Sequence, residues 1–338
     1  MTLNPILLRQ IAFYSKIMLV SAAIGAVIAL LRADSVSLLR NFLSGVSSGL
    51  VIGLGCSLTE VAVGTALHQR WSRRLPIVVF FALRALGFSL AILIGLVGPI
   101  LIFTGTLFWE DPSFRGVFVI SVLIAVAFSA GIEITRLLGT EATLSLLTGK
   151  YRRARLEDRI VLFADLIGST ALAERVGDLQ FHAFLSDVAQ DLARPVAFAS
   201  GDVHRYVGDA VIVTWPSHRK GVADAVLECA AHMHAALAKA APTYEAMYGC
   251  PAQLRIAVHC GPLAAGEVGD WKKEIALLGD TMNTAARIEG AARANNVRTV
   301  LSEDMARCLS PQAAGNLTRL PGYAANGKQE DLAIWGVT

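Results

Sequence analysis

Ile160–Thr170 reads IVLFADLIGST, and this stretch decides how the second half of the chain folds. Ile160–Ala164 is a continuous apolar run, the pattern of a strand buried on both faces. It stops at Asp165, and Gly168-Ser169-Thr170 then turns the chain into a helix. Phe181, Phe184, Leu185, Val188 and Leu192 recur at helical spacing up to Pro195. Val203–Val207 and Ala210–Trp215 read as two strands joined by a tight turn at Gly208-Asp209. Val222, Val226, Cys229, Met233 and Leu237 mark a second helix. Leu254–Cys260 alternates as a strand that runs into Gly261-Pro262, with Ala264–Val268 and Ile275–Leu278 as further strands. Thr281–Ala294 reads as a helix, and Val300-Leu301 and Leu332–Trp335 as late strands.

The order is β-α-β-β-α-β with additions, the split βαβ plan that is ferredoxin-like and palm-like. Residues 159–338 are therefore expected to be an α+β domain. In that plan one carboxylate, Asp165, ends a central strand, and another, Asp209, sits at the tip of a neighbouring hairpin. Adjacent strands lie about 5 Å apart, so the two carboxylates can share divalent cations. Paired metals can activate an attacking oxygen and steady a leaving phosphate, and Mg²⁺ accepts a few carboxylates plus substrate phosphates. The backbone N–H groups around Ser169 and Thr170 open a helix and suit phosphate. A lone Asp after a strand is usually a cap and a lone Gly-Asp usually a turn. The conjunction of the two with further motifs is what points to phosphoryl or nucleotidyl transfer.

Four ordered motifs carry a resemblance. Leu162–Thr170 (LFADLIGST), Arg205–Ala210 (RYVGDA), His259–Gly266 (HCGPLAAG) and Leu278–Glu289 (LGDTMNTAARIE) resemble the motifs of class III adenylate and guanylate cyclases. The similarity covers residues 157–336. It implies that Asp165 and Asp209, with the backbone carbonyl of Leu166, hold two Mg²⁺ or Mn²⁺ ions per active site. It implies that Gly168, Ser169 and Thr170 meet phosphate, that Asn283 orients the ribose, and that Arg287 meets charge on the reacting phosphorus, a task for a planar multi-donor cation. In this family the metal residues come from one chain and the Asn and Arg from another. One chain here carries both sets, so the resemblance implies a homodimer with ATP as substrate. At the purine-reading positions this chain has Arg205 and Ala276, and Lys328 falls in the region of the late phosphate-binding lysine. The Glu and Cys expected of a guanylate form appear at neither purine position. Arg205 donates hydrogen bonds and accepts none, which suits adenine N1 better than the protonated N1 of guanine.

The first half of the chain is different. The whole sequence has 338 residues, is 54% hydrophobic and carries only 17% charged residues, against roughly 25% in soluble domains. Residues 1–150 hold 11 Lys/Arg and 6 Asp/Glu, whereas residues 151–338 hold 19 and 21. Four apolar stretches, Ile11–Leu31, Phe42–Leu67, Ile77–Phe108 and Gly116–Leu138, reach the ~20 residues a membrane helix needs. Residues 1–138 are thus expected to be an all-α bundle of about four transmembrane helices, with 139–158 as a helical linker. Arg70, Arg73 and Arg74 in the second connection, and Arg136, Lys150, Arg152 and Arg153 after the fourth stretch, place both termini and the 159–338 domain in the cytoplasm. Glu110 and Asp111 lie in the third connection. The chain is then an integral, multi-pass protein of the cell membrane.

Glu60, Arg84 and Glu133 fall inside the apolar stretches, where charge is costly. They read either as a ligand-sensing or signal-coupling site or as structural pairs between helices. Small residues from Gly45 to Ser57 permit close helix packing and suit dimerisation. His68 is the only histidine before residue 150, which excludes a bis-histidine haem site in that half. The five cysteines form no CxxC and their number is odd, as for reduced thiols. No dense basic run offers a nucleic-acid surface. An adenylate cyclase leads the readings. The alternatives are a guanylate cyclase, a catalytically silent cyclase-like receptor and a transporter with a regulatory domain, the last without visible internal repeats.

Overall fold

The computed structural model describes residues 5–31, 38–67, 76–104, 114–321 and 332–337. The chain divides into two compact units, Met1–Leu137 and Leu138–Thr338.

The first unit is helical: α1 (Pro5–Leu31), α2 (Leu38–Leu67), α3 (Ile77–Thr104) and α4 (Phe114–Leu138). Three stretches, Leu38–Val63, Val78–Phe103 and Phe118–Thr135, are long and apolar enough to cross a membrane, and Tyr14–Leu30 is a shorter apolar segment. The third helix ends at Thr104 within the expected Ile77–Phe108, and Pro99 lies inside it. The charged connections used to orient the spans, from Arg70 to Arg74 and at Glu110-Asp111, lie outside the described residues. Close packing uses the small residues of α2. A side chain at Gly45 would collide with the backbone of Gly25 on α1, one at Gly49 with Ser21, and one at Gly55 with Ala91 of α3. The space these glycines leave is therefore filled by helices of the same chain. Arg84 of α3 is buried and reaches two carboxylates, Glu60 of α2 at 3.2 Å and Glu133 of α4 at 2.5 Å. The three charges within these apolar helices thus form one ion-pair network tying three helices.

The second unit opens with α5 (Thr140–Thr148), set off by Gly139 (φ 86°) and closed by Gly149 in the left-handed conformation. The sheet and its helices follow: β1 (Arg155–Leu166), α6 (Ser169–Val176), α7 (Asp178–Phe198), β2 (Asp202–Val207), β3 (Ala210–Pro216), α8 (Val222–Tyr248), β4 (Leu254–Val268), β5 (Glu274–Leu278), α9 (Asp280–Ala294), β6 (Thr299–Ser302), α10 (Glu303–Arg307), α11 (Pro311–Ala314), β7 (Leu317–Arg319) and β8 (Ile334–Val337). The strands form one sheet in the order β2-β3-β1-β4-β6-β8-β7, with β5 paired to β4. Its first four strands reproduce the expected split βαβ core.

Alternation along β1 builds two layers. Ile160, Leu162, Ala164 and Leu166 face the core under α7 and α8, while Val161 faces the opposite cluster with Ala285 of α9. β1 starts at Arg155, five residues before the expected Ile160 and inside the stretch read as linker. Its first residues carry a polar network anchored on the buried Arg159 and Tyr151. Arg159 donates to Glu157 (2.7 Å), to the Tyr151 hydroxyl (2.8 Å) and to Thr214 (3.1 Å), and Lys150 pairs with Glu157 at 2.8 Å. Tyr151, which falls in the stretch expected to be a helical linker, is instead buried in this network and the core beneath it.

Two breakers turn out not to break. Gly261-Pro262 was expected to end a strand, yet β4 continues through it to Val268. Along its outer edge β4 pairs with β6 at Ile256–Val258 and with β5 at Ala264–Val268. Pro262 falls in the gap, where a missing N–H forfeits no ladder bond, and its carbonyl accepts from the Thr281 hydroxyl at 2.6 Å. Likewise α7 runs past Pro195 to Phe198, with Pro195 buried in the core.

Candidate active site

β1 delivers Asp165 one residue before its end, opposite Arg255 of β4. The pairing of Ala164 with Val211 of β3 brings the adjoining hairpin turn alongside. That turn is Gly208, at φ 61°, followed by Asp209. The two carboxylates meet as the motif spacing implied. Burial, the charges of Asp209 and Glu289 and a hydrogen bond with Asp209 push the Asp165 carboxyl up to about 6, with Arg293 pulling the other way. Like charges held this close call for a cation.

Past β1 the chain turns at Gly168, whose φ of 76° favours glycine and whose open side meets no atom within 4 Å. α6 then begins at Ser169 with no side chain capping it. Its first N–H groups have no partner within the helix and face a cleft of about 480 Å³. Asp165, Leu166, Gly168, Ser169, Thr170 and Asp209 line that cleft, so six residues named from sequence come together.

Arg255 and Arg293 also line it, and neither was singled out from sequence. Arg293 Nη2 lies 3.7 Å from Asp165 Oδ2. The signal for Arg255 was its place in a strand opposite Asp165, which becomes visible only once the register is known. Arg293 follows Arg287 on the same helix but points elsewhere on its circumference. A cleft holding two carboxylates and two guanidiniums suits a polyphosphate with its cations.

The remaining predicted residues do not line the cleft. Asn283 and Arg287 are four apart, hence on one face of α9. That face is opposite Thr284, Ala285 and Ile288, which are buried. Arg205 on β2 pairs with Glu274 of β5 at 2.8 Å, and Ala276 lies one strand repeat from Glu274, on the same face of β5. Lys328 lies outside the described residues. His259, to which no role was given, is buried with its Nδ1 2.8 Å from Ser302 Oγ.

The residues present fit divalent metals. Two crowded carboxylates beside the Leu166 backbone form an all-oxygen donor set, the kind Mg²⁺ and Mn²⁺ prefer. Among the described residues no group of three or more His, Cys, Asp or Glu could hold an ion by itself. Substrate oxygens would have to complete the shell.

Fold and cleft define the class: a palm-like domain of the nucleotidyl cyclase kind. The family described as "Adenylate and Guanylate cyclase catalytic domain" matches residues 152–335, over half of the sequence, and the chain belongs to it. Among relatives, an adenylate cyclase 2 of Rhizobium meliloti (strain 1021) is 37% identical over 61% of this chain and 57% of its own length. An adenylate cyclase of Anabaena cylindrica is 27% identical over 52% of this chain and 36% of its own. The chain thus spans about half or less of the length of these relatives. The structure of a bacterial light-regulated adenylyl cyclase shares the fold, with TM-score 0.55 at 18% identity over 64% of each chain.

Proposed function

We propose that this chain is a membrane-bound adenylate cyclase, converting ATP to 3′,5′-cyclic AMP and pyrophosphate in sites shared by two copies of the chain. The observation that carries this is a division of the constellation. Asp165 and Asp209 share a cleft with the start of α6, whereas Asn283 and Arg287 stand on the outer face of α9 and do not line it. A site needing all four is completed by a second chain. Exposed apolar residues on the hairpin arms, Tyr206, Val207, Val268 and Leu278 together with the fully exposed Trp271, supply a surface for that second copy.

Asp165, Asp209 and the Leu166 carbonyl hold two Mg²⁺ or Mn²⁺ ions, which when bound make the ribose 3′-hydroxyl more acidic and neutralise the triphosphate. The first N–H groups of α6 bind phosphate oxygens, Arg255 and Arg293 take the outer phosphates, and Lys328 adds a further cation. Asn283 orients the ribose, and Arg287 stabilises charge building on the phosphorus. Arg205, in the neighbourhood of Ala276, donates to the purine edge. The similarity to a relative named adenylate cyclase supports ATP over GTP. Residues 1–138 anchor the chain, with both termini and the 159–338 domain cytoplasmic, and 139–158 couple the two parts. The Glu60–Arg84–Glu133 network is where a membrane signal would act.

The test is cyclic nucleotide formation by the purified full chain, supplied with ATP or GTP and Mg²⁺ or Mn²⁺. Cyclic AMP from the wild type and none from Asp165→Ala supports the proposal. Cyclic GMP as the main product overturns the substrate, and silence with both nucleotides under all conditions favours a receptor that has lost catalysis.

A further inference from the structure

We propose that Cys260 and Cys308 are a redox modification site, closing to a reversible disulfide by exchange with a small-molecule disulfide such as oxidised glutathione. Their Sγ atoms lie 3.7 Å apart, close to van der Waals contact, and side-chain rotation must bring them to about 2.05 Å. The two residues are 48 positions apart in sequence, so this contact is a product of the fold. Cys260 sits in β4 opposite Ile160, and Cys308 caps the C-terminus of α10. α10 is pinned over β4. Ser302 caps it by accepting from the Met305 N–H at 3.1 Å while meeting His259 of β4 at 2.8 Å, and Met305 is buried in the core. The thiols are held together by packing on both sides rather than by a chance loop position.

Exposure assigns the roles. Cys308 is exposed and Cys260 half-buried, so a dissolved oxidant meets Cys308 first. Burial, the neighbouring Cys308, and the charges of Asp304 and Asp158 push the Cys260 thiol up to about 12. Cys260 is therefore the resolving thiol and not the first attacker. In the first step Cys308 loses its proton and attacks one sulfur of RS–SR. The S–S bond breaks, one RS⁻ leaves and is protonated, and Cys308 carries the SR group. In the second step Cys260 loses its proton and attacks the Cys308 sulfur, expelling the second RS⁻. Two protein thiols are oxidised and one RSSR is reduced to two RSH. In the reverse direction a thiolate attacks the exposed Cys308 sulfur and expels the more sheltered Cys260. The bond formed ties the end of α10 to β4, two residues before Pro262, which receives Thr281 of α9.

The test uses the purified full chain in detergent, treated with oxidised glutathione, alkylated, digested without reduction and analysed by mass spectrometry. The expected result is a peptide linking Cys260 to Cys308, lighter by two hydrogens than the paired thiols and lost after dithiothreitol. Cys260→Ser should trap a glutathione adduct on Cys308, and Cys308→Ser should leave Cys260 unmodified. The wild type alone decides the matter if a variant misfolds. A lasting glutathione adduct on Cys308 without the link, an unreacted Cys308, or a link that appears only after unfolding in urea would each overturn the proposal.

Discussion

At the residue scale, two charged side chains show how charge does different work in different surroundings. Arg287 stands on the face of α9 away from its buried residues, and the proposed function gives it the reacting phosphate rather than a place in the fold. Arg287→Ala should therefore lower kcat about a hundred- to a thousand-fold, the range for losing one donor to developing charge. KM for ATP should change little, because the lost contact is made mainly in the transition state. Steady-state kinetics on the purified chain separates the two, and a rise in KM at unchanged kcat would assign Arg287 to substrate binding. Glu157 belongs to the fold. Burial alone would raise its carboxyl, but hydrogen bonds from Lys150, Arg159 and Tyr151 and the Arg159 charge outweigh that and hold it down to about 2. Because the folded value lies below the unfolded one, this carboxylate stabilises the protein fully above the unfolded value of about 4.3. That contribution fades as pH falls from there through 2. Unfolding followed by tryptophan fluorescence should show Glu157→Gln less stable than the wild type at pH 7, with the difference shrinking toward pH 2. A difference independent of pH would deny the ionic origin.

At the element scale, the three charges within the apolar helices were open to two readings from sequence, and the helices bring them into one network. Arg84 is the hub, with a carboxylate from α2 and one from α4. Removing the hub takes the shared cation from two mostly enclosed carboxylates, 12% and 18% exposed, and breaking a buried pair costs about 3–5 kcal/mol. Arg84→Met should accordingly lower the thermal midpoint of the detergent-solubilised chain sharply. Combining it with Glu60→Gln and Glu133→Gln should recover most of the loss, since no charge is then stranded. If the triple variant keeps both basal activity and its regulation, the network is only a structural tie and the sensing role is refuted. The linker is likewise clearer by element than by residue. Its apolar residues suggested one helix, but Gly139 and Gly149 divide it. Tyr151 turns inward to the catalytic core while Leu144 and Leu147 stay exposed.

At the scale of the whole molecule, the proposed division of the constellation between cleft and outer helix face predicts that activity requires a dimer. In the proposed symmetric pair each site would take its carboxylates from one chain and Asn283 with Arg287 from the other. Asp165→Ala chains should be inactive alone, and Arg287→Ala chains should keep only about a hundredth to a thousandth of the turnover. Co-expressed, they form mixed dimers with one intact site and one doubly damaged site, so random pairing should restore about a quarter of wild-type turnover. Absence of any recovery, with mixed dimers verified by differential tagging, would mean that each chain builds its own site.

Sequence alone determined what depends on local order. The apolar run ending at Asp165, the Gly208-Asp209 turn and the periodic helices announced the central strands, because period and turn chemistry are properties of neighbouring residues. The motifs gave the family and most of the cleft for the same reason, since Asp165, Gly168, Ser169, Thr170 and Asp209 sit on the two turns that the motifs contain. Only the tertiary structure decided the rest. It carried β4 through Gly261-Pro262, because a proline is tolerated where the strand has no edge partner. It added Arg255 and Arg293 to the cleft, set Cys260 against Cys308 and closed Arg84 on two glutamates. Each of these contacts joins residues distant in sequence, and strand register and helix packing, which no local pattern encodes, choose which of them meet.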